Sequence, residues 1–174
     1  SPFCETYFND ARADKDDLLG RKNDGWSVIK RLLQHERQSQ TGGRGGGGAA
    51  GPTLQEVAKS YVGTEADGRL ADADLRTRLA SLLMAEKAHG LTIRRITDEA
   101  QGNPQVSAIA SILKNSATSV AQTRAELTLE IMGNQGLGWE GEGFNGSELA
   151  SVRNWLSGKA MSIYGGSFEV QKNI

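Results

Sequence analysis

Apolar residues recur at helical spacing over most of the chain. From Asp24, a residue type suited to capping, Ile29, Leu32, Leu33 and Glu36 fall at i, i+3, i+4 and i+7 and predict a helix through Arg37. The same spacing puts Glu36 on the apolar side of that helix rather than the solvated one. Pro52 stands at the start of a short helix reaching about Tyr61. Residues 72 to about 100 read as a long helix, with Leu75, Leu79, Leu82, Leu83 and Leu91 as a stripe and Arg76, Arg78, Glu86 and Lys87 off it. Gly102-Asn103-Pro104 is a break, with Asn103 as cap and Pro104 in the next first turn. A second long helix then carries Ile109, Ile112, Leu113, Val120, Leu127 and Ile131 to about Met132. Ser147 is read as the cap of a helix through Leu149, Val152, Trp155 and Leu156 to Ile163, and Ser167 as the cap of a last one. The aromatic-rich stretch from Phe3 to Phe8 reads as a short strand or strand end.

Two long antiparallel helices joined by a tight break, with a helix on each side, predict an all-α, up-and-down helical bundle. The plainest role for such a bundle is to dimerise. Between its helices lie two glycine-rich stretches. The first, Thr41 to Gly51, packs seven of the chain's 22 glycines into the ten positions from Gly42. It reads as a flexible connector, because each glycine adds backbone entropy that folding must overcome. It lacks the Gly-Lys-Ser/Thr ending and the preceding strand of a phosphate-binding loop. The second, Gly133 to Gly146, holds Trp139 and Phe144, which read as packing residues together with Trp155.

Composition narrows the function. The 174 residues, 37% hydrophobic and 24% charged, are enough for one domain with a core. A net charge of -1 and the lack of a basic stripe argue against nucleic acid. One cysteine, Cys4, leaves no internal disulfide framework, and His35 and His89 are too far apart for a helical zinc motif. No run approaches a membrane span and no signal peptide opens the chain, so a cytoplasmic location is expected. Ser1-Pro2-Phe3 and the stop at Lys172-Asn173-Ile174, inside an apparent motif, point to a piece of a longer protein.

The closing segment, Ile163-Tyr-Gly-Gly-Ser-Phe-Glu-Val-Gln-Lys-Asn-Ile174, resembles the C-terminal motif of the acyl-CoA dehydrogenases. Asn9-Asp-Ala-Arg-Ala13 with Leu18-Leu-Gly20 is similar to the place where that family's middle β-domain hands over to its helical bundle. Asn23-Asp-Gly-Trp26, Leu33-Gln-His-Glu-Arg37, the glycine run and Leu75-Arg-Thr-Arg-Leu79 follow in the family's order. The resemblance therefore implies that residues 1–20 are a remnant of the middle β-domain and connector, and 21–174 a C-terminal helical bundle with a glycine-rich loop at 42–51. It matches roughly the last 45% of a typical member by the motifs covered.

The resemblance implies FAD-dependent α,β-dehydrogenation of an acyl-CoA thioester, with electrons passed to an electron-transferring flavoprotein. It also implies a homo-oligomer, or a hetero-oligomer with a paralogue. The chemistry needs a carboxylate on one face of the acyl chain, flavin on the other, and donors to the thioester oxygen. The commonest family base would fall at Gly165, which has none. A minority of members take the carboxylate from the first bundle helix, just before an arginine, and Glu36 before Arg37 matches that place. Desolvation on the apolar face would raise the Glu36 pKa toward that of a working base. Arg37, Tyr164 and Gly165 are the implied substrate contacts. Gln135, Gly136, Gly166, Ser167 and Glu169 are the implied flavin contacts, the first two from a turn where Asn134 departs from the family glycine and Glu130 from its common glutamine. The alternative is a non-catalytic paralogue or partner subunit that contributes half a flavin site and a dimer face.

Overall fold

The computed structural model describes residues 4–41, 51–99 and 106–173, with the side chains of 34–41, 99, 106–108 and 110 outside that description. It contains α1 (Gly25–Thr41), α2 (Leu54–Val62), α3 (Ala73–Glu99), α4 (Val106–Met132), α5 (Gly146–Gly158) and α6 (Phe168–Lys172). Short 3-10 turns occupy Lys15–Asp17, Gly133–Leu137 and Lys159–Ser162. The all-α expectation holds among the described residues, where one isolated antiparallel bridge, Thr64 to Leu70, is the nearest approach to a sheet.

α3 and α4 are the antiparallel pair on which the rest is built. Arg78 pairs with Glu130 near one end, Arg124 Nη1 lies 2.5 Å from Glu86 Oε1, and His89 Nδ1 lies 2.6 Å from Ser116 Oγ further along. Between these polar flanks Leu75, Leu79 and Leu82 meet Leu127 and Ile131, and Leu54 and Ala58 of α2 close the cluster with Leu70. Full burial of a leucine such as Leu127 contributes about 2 kcal/mol. α4 also packs against α1, α5 and α6, so it needs apolar residues on several sides and carries no single stripe.

Several boundaries differ from the sequence expectations, each for a local reason. Residues 4–8 are irregular rather than a strand. A strand needs a neighbour to take its N–H and C=O groups, and none of the described residues pairs with it. α1 runs to Thr41, four residues past Arg37, because Gln38 to Thr41 contain no breaker. Thr53, not Pro52, precedes α2 directly, and its side chain and that of Glu56 form a reciprocal capping box. Asn145 rather than Ser147 caps α5, its Oδ1 accepting from the amides of Ser147 and Glu148 at 2.9 and 3.0 Å. α5 stops at Gly158 and a 3-10 turn covers Lys159–Ser162, short of Ile163. Leu91 and Ile112 are exposed, since the inward row of α3 continues through His89 and Ile96 and that of α4 through Leu113. The expected break at 102–104 and most of the glycine run, residues 42–50, lie outside the described residues.

Candidate functional site

One face of α4 holds the chain that follows α5. Gln122 Nε2 donates to the Gly158 carbonyl at 3.0 Å, where α5 runs out of internal partners. One turn earlier, the buried Thr118 hydroxyl lies 3.4 Å from the Met161 carbonyl. One turn earlier again, Lys114 Nζ donates to the Gly166 carbonyl at 2.7 Å. In the other direction Glu126 pairs with Lys159. Residues 114, 118, 122 and 126 recur every fourth position, so they stand in one row along the helix. That row pins the connector from Gly158 to Gly166 against α4.

The connector ends in the Tyr164–Ser167 turn. Gly165 and Gly166 have φ of 67° and 93°, the left-handed region that favours glycine. A Cβ on Gly166 would lie 2.5 Å from Gln171 Nε2. That amide is itself in use: Gln171, buried, donates from Nε2 to the Gly165 carbonyl at 2.6 Å. Ser167 caps α6, its hydroxyl accepting from the Val170 amide at 3.4 Å. The Glu169 carboxyl is held below the usual carboxylate range by its own backbone amide first, then by the Ser167 hydroxyl. Lys114 sits over the Phe168 ring, 5.3 Å from its centroid, and burial pushes its ammonium below the usual lysine range. Tyr164 is exposed.

The second candidate cluster follows α4. Gly133 has φ of 56°, and a Cβ on the buried Gly136 would lie 2.5 Å from the Leu129 carbonyl oxygen, so the turn folds tightly back on its own helix. Gln135 is partly buried and its Oε1 has no hydrogen-bond partner among the described residues. Beyond it, the Phe144 ring closes on Gly138, and Arg153 stacks on Trp139 at 5.4 Å while donating to its carbonyl at 3.1 Å. Trp155 lies beneath Lys159, 5.0 Å from its ring centroid.

The chain does not bring these clusters together. Ser167 and Glu169 are anchored at the level of Lys114, whereas the turn holding Gln135 and Gly136 folds back against Leu129, 15 residues along α4. At 1.5 Å per residue the separation along the helix is about 22 Å. Glu36 and Arg37 lie on α1, but their side chains are outside the described residues. Of the apolar residues that share the expected face with Glu36, Ile29, Leu32 and Leu33 are all exposed.

A separate cavity of about 450 Å³ opens between α2, α4 and α5, lined by Leu54, Val57, Tyr61, Arg124, Thr128 and Met132 among others. Tyr61, one of its lining residues, donates through its hydroxyl to the buried Glu148 carboxylate at 2.6 Å, and the bond pushes the phenol pKa up. Lys114, Thr118, Gln122 and Gln171 were absent from the expected site. Lys114, Thr118 and Gln122 share a four-residue spacing, but α4 carries many other polar residues, so the spacing does not single them out, and Gln171 stands alone on α6.

The family model for the acyl-CoA dehydrogenase C-terminal domain matches residues 23–174. The chain belongs to the acyl-CoA dehydrogenase family. It is 26% identical to acyl-CoA dehydrogenase FadE34 of Mycobacterium tuberculosis, over 98% of this chain and 21% of that protein. It is 29% identical to acyl-CoA dehydrogenase IpdE1 of Mycolicibacterium smegmatis, over 100% of this chain and 41% of that protein, and 30% identical to IpdE1 of M. tuberculosis, over 99% and 42%. The chain thus spans less than half the length of these relatives. No solved structure matches it. Family membership accounts for the bundle and for the Tyr164–Ser167 turn at its end. No described helix is long and apolar enough to cross a membrane.

Proposed function

We propose that this chain is the C-terminal helical part of a longer FAD-dependent acyl-CoA dehydrogenase, one whose catalytic base is Glu36 rather than a residue of the closing motif. The observation that carries this reading is the Tyr164–Ser167 turn: the family's motif, tightly held, with a glycine of φ 67° where a carboxylate is common. A group that abstracts a proton must then come from elsewhere, and Glu36 on α1 stands at the family's alternative position.

In this reading Glu36 takes the α-proton of the thioester, Arg37 lies beside the acyl-CoA, and Tyr164 and Gly165 contact the substrate through the turn. The bound flavin supplies the acceptor for the β-hydride, and the product is the enoyl-CoA. Glu36 needs a water-poor surrounding to act as a base near neutral pH. The exposed Trp26, Ile29, Leu32 and Leu33 support the idea that further parts of the enzyme cover α1.

The residues present suit FAD. Gln135 Oε1, without a partner among the described residues, is an acceptor suited to an N–H or O–H donor. Glu169, held ionised, suits a hydroxyl or amino group of the adenosine rather than its phosphates. Gly136, Gly166 and Ser167 complete the set with backbone and hydroxyl groups. The separation of about 22 Å between the two clusters supports a flavin held between two chains, hence a dimer or larger homo-oligomer. A hetero-oligomer with a paralogue would meet the same need. Electrons would leave to an electron-transferring flavoprotein.

The second reading, a non-catalytic partner, is favoured by Gly165. Anaerobic titration of the purified full-length enzyme with acyl-CoAs separates the two. Bleaching of the flavin bands is expected, and flavin that no acyl-CoA bleaches would establish the non-catalytic reading. The 174-residue chain alone is expected to be inactive, and turnover of acyl-CoA by it would contradict the need for further domains.

A further inference from the structure

The two glycine peptides that end the motif turn are held by side chains from outside it. The Gly165 carbonyl accepts from Gln171 Nε2 at 2.6 Å, and the Gly166 carbonyl from Lys114 Nζ at 2.7 Å. Each peptide unit is planar and trans, with its C=O and N–H pointing in opposite directions. Tying the two carbonyls therefore fixes where the Gly166 and Ser167 amides point. Neither glycine has a side chain to fix the turn, and φ near 67° and 93° leaves both peptides free to rotate once released.

Lys114 is the longer-range of the two holds, since it reaches from the middle of the bundle to a residue 52 positions away. It is not a surface lysine with a chance contact: it is partly buried, packs on Phe168 and heads the row formed with Thr118 and Gln122. A charged donor to a carbonyl is stronger than a neutral one, and its loss leaves a carbonyl without its partner.

We infer that Lys114 is a positioning residue for the flavin and thioester contact, fixing the Gly166–Ser167 peptide beside the one held by Gln171 so that the turn presents one arrangement to its ligands. The inference rests on the acyl-CoA dehydrogenase reading for its consequence, and on the two hydrogen bonds for its geometry.

The test has two arms. In the first, hydrogen exchange is followed in the full-length enzyme for the amides of Tyr164, Val170 and Gln171, which are hydrogen-bonded around the turn. Lys114→Met should speed their exchange about tenfold while peptides of α2 and α3 stay unchanged, and Lys114→Arg should restore much of the protection. In the second, FAD binding is titrated in the full-length apo-enzyme. Lys114→Met should raise the dissociation constant about tenfold, with Lys114→Arg between it and wild type. Unchanged exchange in Lys114→Met overturns the positioning role, whether or not flavin binds. Faster exchange with unaltered FAD affinity confines Lys114 to stability and overturns its role at the ligand. Failure of the wild-type enzyme to bind FAD would instead refute the functional reading, leaving the exchange arm to decide the geometry.

Discussion

Gly136 and Leu127 mark two ways in which single residues hold the site. A Cβ on Gly136 would meet the Leu129 carbonyl oxygen at 2.5 Å, and a backbone oxygen cannot swing aside as a side chain can. Gly136→Ala should therefore destabilise the chain by about 2 kcal/mol, read as a lower urea midpoint at unchanged slope. Leu127 is 2% exposed and lies where α2, α3 and α4 meet. Leu127→Ala should cost about 3 kcal/mol in the same measurement. Loss of less than about 1 kcal/mol at either position would contradict the packing described. The glycines of the motifs were legible in the sequence as motif residues, since their spacing is a family pattern. Lys114 and Gln171 were not, because a lysine and a glutamine on helices read as solvated until the fold shows which carbonyls they meet.

At the scale of elements, the helices follow from periodicity and their ends from capping. The antiparallel pair α3 and α4 was legible because each repeats leucine or isoleucine at three- and four-residue spacing over 27 residues. The caps were less so. Asn145, Ser147 and Ser167 are all competent capping residues, and only the path of the chain selects Asn145 over Ser147. Asn145→Ala should cost about 1 kcal/mol, whereas Ser147→Ala should be nearly neutral. Equal losses would contradict the assignment. The strand expected at Phe3 to Phe8 failed because a strand is defined by its partner, and a single segment's composition cannot supply one. The candidate site divides in the same way. Its motif turn was readable in one segment, but the separation of that turn from Gln135 and Gly136 is a property of α4's length.

For the whole molecule, acid should weaken the fold in two stages. Burial depresses the His89 pKa below its ordinary 6.5, so the unfolded chain takes up that proton first and stability falls as pH drops below 6.5. Glu130, lowered from its ordinary 4.5 chiefly by hydrogen bonding from Arg78, adds a second loss below pH 4.5. Thermal melts should therefore fall from pH 7.5 to 5.5, less so in His89→Gln. A wild-type melt that rises over that range would be the wrong sign. In the function proposed, α1 supplies the proton-accepting group that Gly165 lacks. Rapid-mixing reduction of the flavin in the full-length enzyme by an acyl-CoA that bleaches it tests this most directly. Glu36→Gln should bind flavin normally and be reduced about a thousandfold more slowly than wild type. Reduction of Glu36→Gln as fast as wild type would mean that the base lies elsewhere.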